Sequence, residues 1–517
     1  MRKLVILTIF VLLNSTLSVL AQDAFTPQFE PVENCFVPLP AEIDYDCGYV
    51  GVPDFYTGES IRELQLGIVR LNTSSDTPGT PLFMLLGGPG ESIATPLSVI
   101  PTLLGVGADP SAGVTPFARI LQNHDIIFMT QRGTEFSTPF LTCPEIGGLA
   151  YIGYEQQLDQ DASEALFADT LSACVARHEA DGVDFNAFNS EASAADVVSV
   201  AEALGYDRII YYGESYGAQL GQFVMRDHPD ILEAVILDGA NPLSKTSWVQ
   251  DRAQSFQSAL DTVATMCAER PDCAAAFGDL HTSIDAIAAQ FSAGPIAYTF
   301  QDPENPDVSL SFNIGLGDVA IYLAGNFDLL HNFLLPLTIH QLAEGNLEVV
   351  GLTKATNILQ SQGASSNSAL LMQLSIVCSD DPVFADSEAD SEGVSELAIA
   401  AGRGEAAIFR TGCSVINVQQ LPESSDVDVS RDIPTLLFSG GLDTRTPTAR
   451  NQEVADRLPN SRVIVFPTGA HVQVPNIPCA NELLADFVAD PSSLDSLDES
   501  CAATLLEGFQ FITSLDE

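Results

Sequence analysis

The chain has 517 residues, 46% of them hydrophobic, and its 69 acidic against 20 basic residues give a formal net charge of −49. That length allows two or three domains, or one large domain carrying an insertion. The acid excess argues against a nucleic-acid partner, whose phosphates would be repelled, and the hydrophobic content argues against a disordered acidic chain. The acidity is spread along the chain, only 17% of which is charged, and it reads as a solubility device suited to a salty medium.

Residues 1–21 read as a secretory signal. Arg2 and Lys3 supply the positive start, Leu4 to Leu13 the apolar run, and Val19-Leu20-Ala21 a cleavage site of small residues. Asn14, Ser15, Thr16 and Ser18 interrupt the apolar run, which argues against an uncleaved anchor. The expected location is extracellular or periplasmic, with no stable membrane insertion after cleavage. Ten cysteines fit that compartment. Five disulfides between consecutive cysteines are expected, because short loops close most easily. The chain contains no Cys-x-x-Cys and its histidines are scattered, so no metal site is expected.

Strands are expected at Tyr45 to Val52 and Leu64 to Leu71, then at Pro81 to Leu86, which runs into Gly87-Gly88-Pro89-Gly90. Asp125 to Met129 is another, ending in Gln131-Arg132-Gly133. Helical periodicity over 191–204 closes at Gly205. Buried strands follow at Arg208 to Tyr212 and Ala234 to Leu237, with a helix from Ala218 to Arg226 between them. This rhythm predicts an α/β fold with a mostly parallel sheet covered on both faces. From about 245 to 430 helical spacing dominates (Phe256, Ala259, Leu260, Val263), and strands return at Thr435 to Phe438 and Arg462 to Phe466. The expected organisation is a core over 22–244, a helical cap inserted at 245–430, and completion of the core over 431–517.

Chemistry is written most clearly at Gly213-Glu214-Ser215-Tyr216-Gly217. Gly-x-Ser-x-Gly between a strand and a helix is the pattern of a nucleophile elbow, which exposes a serine Oγ near a helix N-terminus. A serine nucleophile needs a base, and the base needs an acid to orient it. Asp443 follows a late strand and a glycine turn, Ser439-Gly440-Gly441-Leu442. His471 follows the next strand and is the only histidine after His340. The order Ser215, Asp443, His471 is therefore the expected catalytic set. An alternative role for Asp443 is to cap a helix starting near Thr446-Pro447. The oxyanion would be held by the backbone N–H groups of Tyr216 and of the Gly87-Gly88 turn, with Gly88 preferred.

Four motifs in order, Leu-Gly-Gly-Pro-Gly at 86–90, Gln-Arg-Gly-Thr at 131–134, Gly-Glu-Ser-Tyr-Gly at 213–217 and Gly-Leu-Asp-x-x-Thr-Pro at 441–447, resemble the prolyl-iminopeptidase and tripeptidyl-aminopeptidase family of α/β-hydrolases. Ser-Ile-Val-Cys-Ser-Asp at 375–380 resembles a segment near the end of that family's cap. The resemblance implies an α/β-hydrolase fold, a helical cap, a C-terminal segment of the tripeptidyl type and serine exopeptidase activity without a cofactor. This chain departs from the family pattern at Leu86, Thr130 and Gly469-Ala470-His471-Val472, which bears on substrate preference and leaves the triad intact.

An aminopeptidase must hold an α-ammonium, and the candidate carboxylates are Glu135, Glu214, Asp380 and Asp381. Trp248, the sole tryptophan, is a candidate for the pocket wall or the core. The expected function is a secreted serine aminopeptidase acting on peptides. A carboxylesterase using the same triad is the alternative, and a non-catalytic binding protein on the same scaffold is a third reading.

Overall fold

The computed structural model describes residues 25–57, 62–109, 111, 113–245, 248–303, 305–328, 332–380 and 393–514. The expected secretory signal at 1–21 lies outside these residues, as does Asp381. Among the described residues no helix is long and apolar enough to cross a membrane.

Among the described residues eleven strands form in chain order: β1 (Phe29–Pro31), β2 (Tyr45–Pro53), β3 (Glu63–Leu71), β4 (Leu82–Leu85), β5 (Ile126–Met129), β6 (Ile209–Glu214), β7 (Leu232–Asp238), β8 (Ile296–Gln301), β9 (Ser309–Ile314), β10 (Thr435–Gly440) and β11 (Ser461–Phe466). Nine of them make one sheet in the order β1-β2-β3-β5-β4-β6-β7-β10-β11. The β1–β2, β2–β3 and β3–β5 pairs are antiparallel, and every pair from β5 across to β11 is parallel. The mostly parallel sheet expected from the strand-helix rhythm is therefore present.

Alternate residues along each central strand feed two different cores. Phe83, Leu85, Ile209 and Tyr211 pack into one, while Leu82, Met84, Ile210 and Tyr212 pack into the other. A strand buried on both faces must be apolar throughout, which explains the unbroken runs Leu82–Leu85 and Ile126–Met129. Burying each such large apolar side chain contributes about 1.5–3 kcal/mol. Helix Ser190–Leu204 stops where Gly205 turns left-handed at φ 81°, a conformation that a Cβ would strain.

Between β7 and β10 the chain leaves the sheet. It forms helices from Trp248–Ala268 to Glu396–Val415, with their own core around Phe256, Leu260, Val263, Leu323 and Leu397. The block also contains a separate β8–β9 hairpin, which helical spacing did not foretell. Its strands alternate buried or half-buried with exposed residues over only six positions, too short to stand out beside the surrounding helices. Trp248 opens the first helix of this block, and its side chain lies outside the described residues.

All five disulfides join consecutive cysteines, as expected: Cys35–Cys47, Cys143–Cys174, Cys267–Cys273, Cys378–Cys413 and Cys479–Cys501.

Candidate active site

Strand β6 ends at Glu214, and the helix Tyr216–Asp227 begins two residues later. Ser215 occupies the turn with φ 53° and ψ −118°, a region that costs a residue with a Cβ on the order of 1–3 kcal/mol. Two glycines make the turn possible. A Cβ on Gly213 would strike the Gly217 carbonyl, and one on Gly217 would strike the Leu85 carbonyl on β4. The Tyr211 hydroxyl donates to the Gly217 carbonyl at 2.7 Å, and Ser215 N–H donates to the Asp238 carbonyl at 2.9 Å.

The structure brings the three predicted residues together. His471 Nε2 lies 2.8 Å from Ser215 Oγ, and His471 Nδ1 lies 2.9 Å from Asp443 Oδ2. Asp443 follows β10 and His471 follows β11, so parallel neighbours deliver the acid and the base to the same sheet end. Asp443 does not cap the helix Thr448–Ala455. Its Oδ1 instead accepts N–H bonds from Arg445 and Thr446 in the preceding turn, at 2.7 and 2.8 Å. The Thr446 hydroxyl donates to Asp443 Oδ2 at 2.6 Å and sits 3.2 Å from His471 Nδ1. Burial pushes the Asp443 carboxyl up. The His471 imidazole and the Thr446 donors outweigh it and hold the group well below the usual carboxylate range. An ionised acid at this position fixes the His471 tautomer that leaves Nε2 able to accept a proton from Ser215.

Gly87 and Gly88 face the elbow. A Cβ on Gly87 would lie 2.8 Å from Ser215 Cβ, so a side chain there would crowd the nucleophile. Gly88, at φ 107°, lines the cavity in front of Ser215 together with Tyr216. Among the described residues, neither the Gly88 nor the Tyr216 N–H is taken by a backbone carbonyl. The Gln-Arg-Gly segment holds this loop from behind. Gln131 Nε2 donates to the Leu86 carbonyl at 2.7 Å. Arg132 is fully buried and clamps Asp196 through Nε (2.8 Å) and Nη2 (2.6 Å). Removing either partner would strand a buried charge at a cost of about 3–5 kcal/mol.

The cavity measures about 100 Å³ and joins the elbow, the segment after β7, the turn after β10 and the end of helix Leu370–Asp380. Of the predicted amine anchors, Asp380 lines it. The carboxylate is buried and accepts from the hydroxyls of Ser190 and Ser379. Burial raises its carboxyl to about 6, against those hydrogen bonds, so it is ionised at neutral pH. Glu214 and Glu135 do not line the cavity. Burial, then the charges of Glu91 and Asp238, push the Glu214 carboxyl up to about 8, so it is mainly neutral at pH 7. Its side chain accepts instead from the Tyr212 hydroxyl at 3.3 Å. Glu135 accepts from the Ser92 hydroxyl at 2.5 Å.

Asp238, at the end of β7, escaped the sequence reading. Its carboxylate accepts N–H bonds from Gln473 and Val474, all at 2.8 Å, and a 2.9 Å bond from the Tyr212 hydroxyl. It thus grips the loop just beyond His471. A strand-terminal acid carries no local signal of such a role.

A serine, a histidine and an acid hydrogen-bonded in series at one end of this sheet define the site of a serine hydrolase on an α/β-hydrolase fold. The family model for the alpha/beta hydrolase fold matches residues 96–277, and that for TAP-like protein matches residues 400–501. These two matches support an α/β-hydrolase of the TAP-like family. The chain is similar to the serine protease Hip1 of Mycobacterium bovis and of Mycobacterium tuberculosis, at 27% identity over 278 residues. That stretch is 51% of this chain and 48% of each relative, so the match spans about half the length of these curated relatives. Among solved structures, it is similar to MGS-M2, an alpha/beta hydrolase enzyme from a Medee basin deep-sea metagenome library, at 11% identity and a TM-score of 0.35. The superposition covers 85% of this chain and 98% of that one.

Proposed function

We propose that this chain is an exported serine aminopeptidase that releases N-terminal residues or short peptides, tripeptides among them, through an acyl-enzyme. One observation carries the reading. Ser215 Oγ, 2.8 Å from His471 Nε2, opens into a cavity that is also lined by the buried carboxylate of Asp380. The serine machinery accounts for acyl transfer, and the carboxylate gives a free α-ammonium a partner.

In this reading Ser215 Oγ attacks the scissile carbonyl carbon while His471 Nε2 takes its proton. The Gly88 and Tyr216 N–H groups receive the developing oxyanion, where one such donor is worth about 10²–10³ in kcat. Collapse breaks the C–N bond, and His471 returns the proton to the departing amine. Water then attacks the acyl-enzyme with His471 again as base, and Asp443 stabilises the imidazolium in both halves. The 245–430 block acts as a cap that brings Asp380 over the nucleophile. The five disulfides support an oxidising compartment, in keeping with the signal expected at 1–21.

The test compares wild type with Ser215→Ala on peptide arylamides of one to three residues. One set has a free N-terminus, a matched set is N-acetylated, and an aryl ester runs alongside. Ser215-dependent cleavage of the free-amine set alone is expected, and the best length distinguishes single-residue from tripeptide release. Ester cleavage with both peptide sets untouched would refute the aminopeptidase reading in favour of a carboxylesterase.

A further inference from the structure

The inserted block is fastened to the sheet domain by a segment that lies outside it in sequence. Helices Trp248–Ala268, Pro271–Phe277, Leu280–Gln290, Leu316–Asp328 and Leu335–Ala343 form a lobe with its own core. Phe511 belongs to that core and is only 5% exposed, yet it follows the helix Ser500–Thr504 at the end of the sheet domain. The crossing is short. Cys501 is bonded to Cys479 in the helix Pro478–Ala489, and Leu505 packs on a core of the sheet domain. Residues 506–508 are exposed, and Phe509 and Ile512 then pack on the lobe beside Phe511.

We infer that residues 505–514 are a strap that holds this lobe closed over the Ser215 cavity and thereby limits the length of peptide that reaches the nucleophile. This role builds on the reading of Ser215 as the nucleophile of a short-peptide hydrolase.

The strap makes contacts of three kinds. The rings of Phe509 and Phe511 meet edge to face, with centroids 5.0 Å apart. The Arg270 guanidinium, at the start of helix Pro271–Phe277, stands 5.7 and 5.6 Å from their centroids. The Ile512 N–H donates to the Phe333 carbonyl at 2.9 Å. The residue beside it in the lobe, Asn332, donates through Nδ2 to the Thr468 carbonyl at 2.6 Å, in the loop that carries His471. The turn at 332–333 is therefore gripped both by the strap and by the loop after β11.

The lobe reaches the cavity that the strap does not touch. Helix Trp248–Ala268 supplies Asp251 and Arg252 to the cavity wall, and none of the described residues of 505–514 lines it. With the lobe seated, the cavity holds about 100 Å³, small beside the roughly 300–1,000 Å³ usual for a ligand site. Helix Glu396–Val415 belongs to both domains, with Leu397 and Ala398 in the lobe's core and Ala406 and Phe409 in a core of the sheet domain. It is the fixed attachment, and the strap is the one that opening must release. Withdrawing Phe511 from the lobe exposes a buried ring, so truncating that ring should shift the closed–open balance by roughly 10²–10³.

The experiment uses the intact disulfide-bonded protein, with Ser215 labelling by a fluorophosphonate and turnover of an aryl ester measured alongside. The substrates are the arylamide of a free-amine tripeptide and that of the same tripeptide extended at its amino end. Both carry a free amine, so Asp380 is not the variable. Wild type should prefer the short form, and Phe511→Ala should cut that preference about tenfold or more while ester turnover is unchanged. Ile512→Pro removes only the N–H donor and should cut it by about two- to tenfold, which keeps the test alive if Phe511→Ala fails to fold. Phe511→Leu keeps an apolar anchor and should retain the preference. So should Leu494→Ala, which takes a buried leucine from a core of the sheet domain. Hydrogen exchange should quicken about tenfold or more in helices Trp248–Ala268 and Leu280–Gln290 of Phe511→Ala, and not in β4 or β6. Wild-type length preference in both Phe511→Ala and Ile512→Pro, with labelled enzyme, would overturn the strap. An equal change in Leu494→Ala would overturn it too, as general loosening. Absence of labelling and hydrolysis in wild type would overturn the nucleophile reading and the length limit with it, and the exchange rates would then decide the strap by themselves.

Discussion

Asp238 offers the sharpest test of how the site is held. Its carboxylate is the buried acceptor for the N–H groups of Gln473 and Val474, while its backbone carbonyl accepts the N–H of Ser215. Between His471 and that grip lies Val472 at φ 54°, a conformation that β-branched residues avoid. The strain at Val472 is on the order of 1–3 kcal/mol and must be met by its surroundings, chiefly the bonds to Asp238. Asp238→Ala removes the acceptor, frees Val472 to relax, and lets His471 drift from Ser215. A displacement near 1 Å costs about 10²-fold in rate, so kcat should fall roughly a hundredfold.

Stability should move much less. Burial raises the Asp238 carboxyl from 3.8 to about 6, against the hydrogen bonds it accepts. A folded value above the unfolded one means that this group's contribution to stability is fully present below about pH 4 and lost as pH rises through about 6. At pH 7.5 the buried charge therefore costs about 3 kcal/mol. Alanine removes that cost while stranding two N–H groups at about 1–3 kcal/mol each. The two terms nearly offset. Asp238→Asn keeps one acceptor oxygen and should recover part of the lost kcat. Steady-state kinetics and urea unfolding at pH 7.5 measure both quantities. A folded Asp238→Ala variant with kcat within twofold of wild type would refute the positioning argument, and so would losses of activity and stability that run in proportion.

Three further outcomes follow from the same geometry. Thr446→Val removes the 2.6 Å donor to Asp443 and should cut kcat about tenfold with little change in KM; an unchanged kcat would mean that His471 alone orients the acid. Asp380→Asn should raise KM for free-amine peptides tenfold or more while sparing a simple aryl ester, and wild-type KM for those peptides should rise as pH falls through about 6, where the carboxyl gains its proton. A matching rise for the ester would remove Asp380 from amine binding. Gly217→Ala should abolish folding or soluble expression, because its Cβ meets the Leu85 carbonyl, a backbone atom of a buried central strand; a folded, active variant would show that the elbow can open.

Much of the core was legible because its signals are local. A strand buried on both faces must be written as an apolar run, and a turn as tight as that at Ser215 needs glycine at 213 and 217. Asp443 and His471 follow their strands within a few residues, so order and context suffice to find them. Strand ends were less exact. β6 continues through Gly213 and Glu214, since β7 still offers Leu237 and Asp238 as partners there. The short edge strand β1 gave no pattern because its three residues are half-buried or exposed.

What stayed hidden depends on contacts between remote positions. Asp380 meets Ser190 across 190 residues, and Asp238 meets Gln473 across 235. In a chain with 69 acids, Asp380 could be named only as one of four candidates, and Asp238 not at all. Glu214 shows the converse. Adjacency to Ser215 made it a candidate, yet β6 turns its side chain toward Tyr212 and the buried Asp238, where a carboxyl is better protonated. The residue before this nucleophile ends β6, and alternation along that strand puts its side chain on the same face as that of Tyr212. The acid facing the cavity must come from another element, here the end of helix Leu370–Asp380 in the inserted block. The core therefore carries Ser215, Asp443 and His471, and the insertion contributes Asp380, the acid proposed to hold the substrate amine. Changes in the inserted block should alter which peptide is cleaved before they alter how a peptide bond is broken.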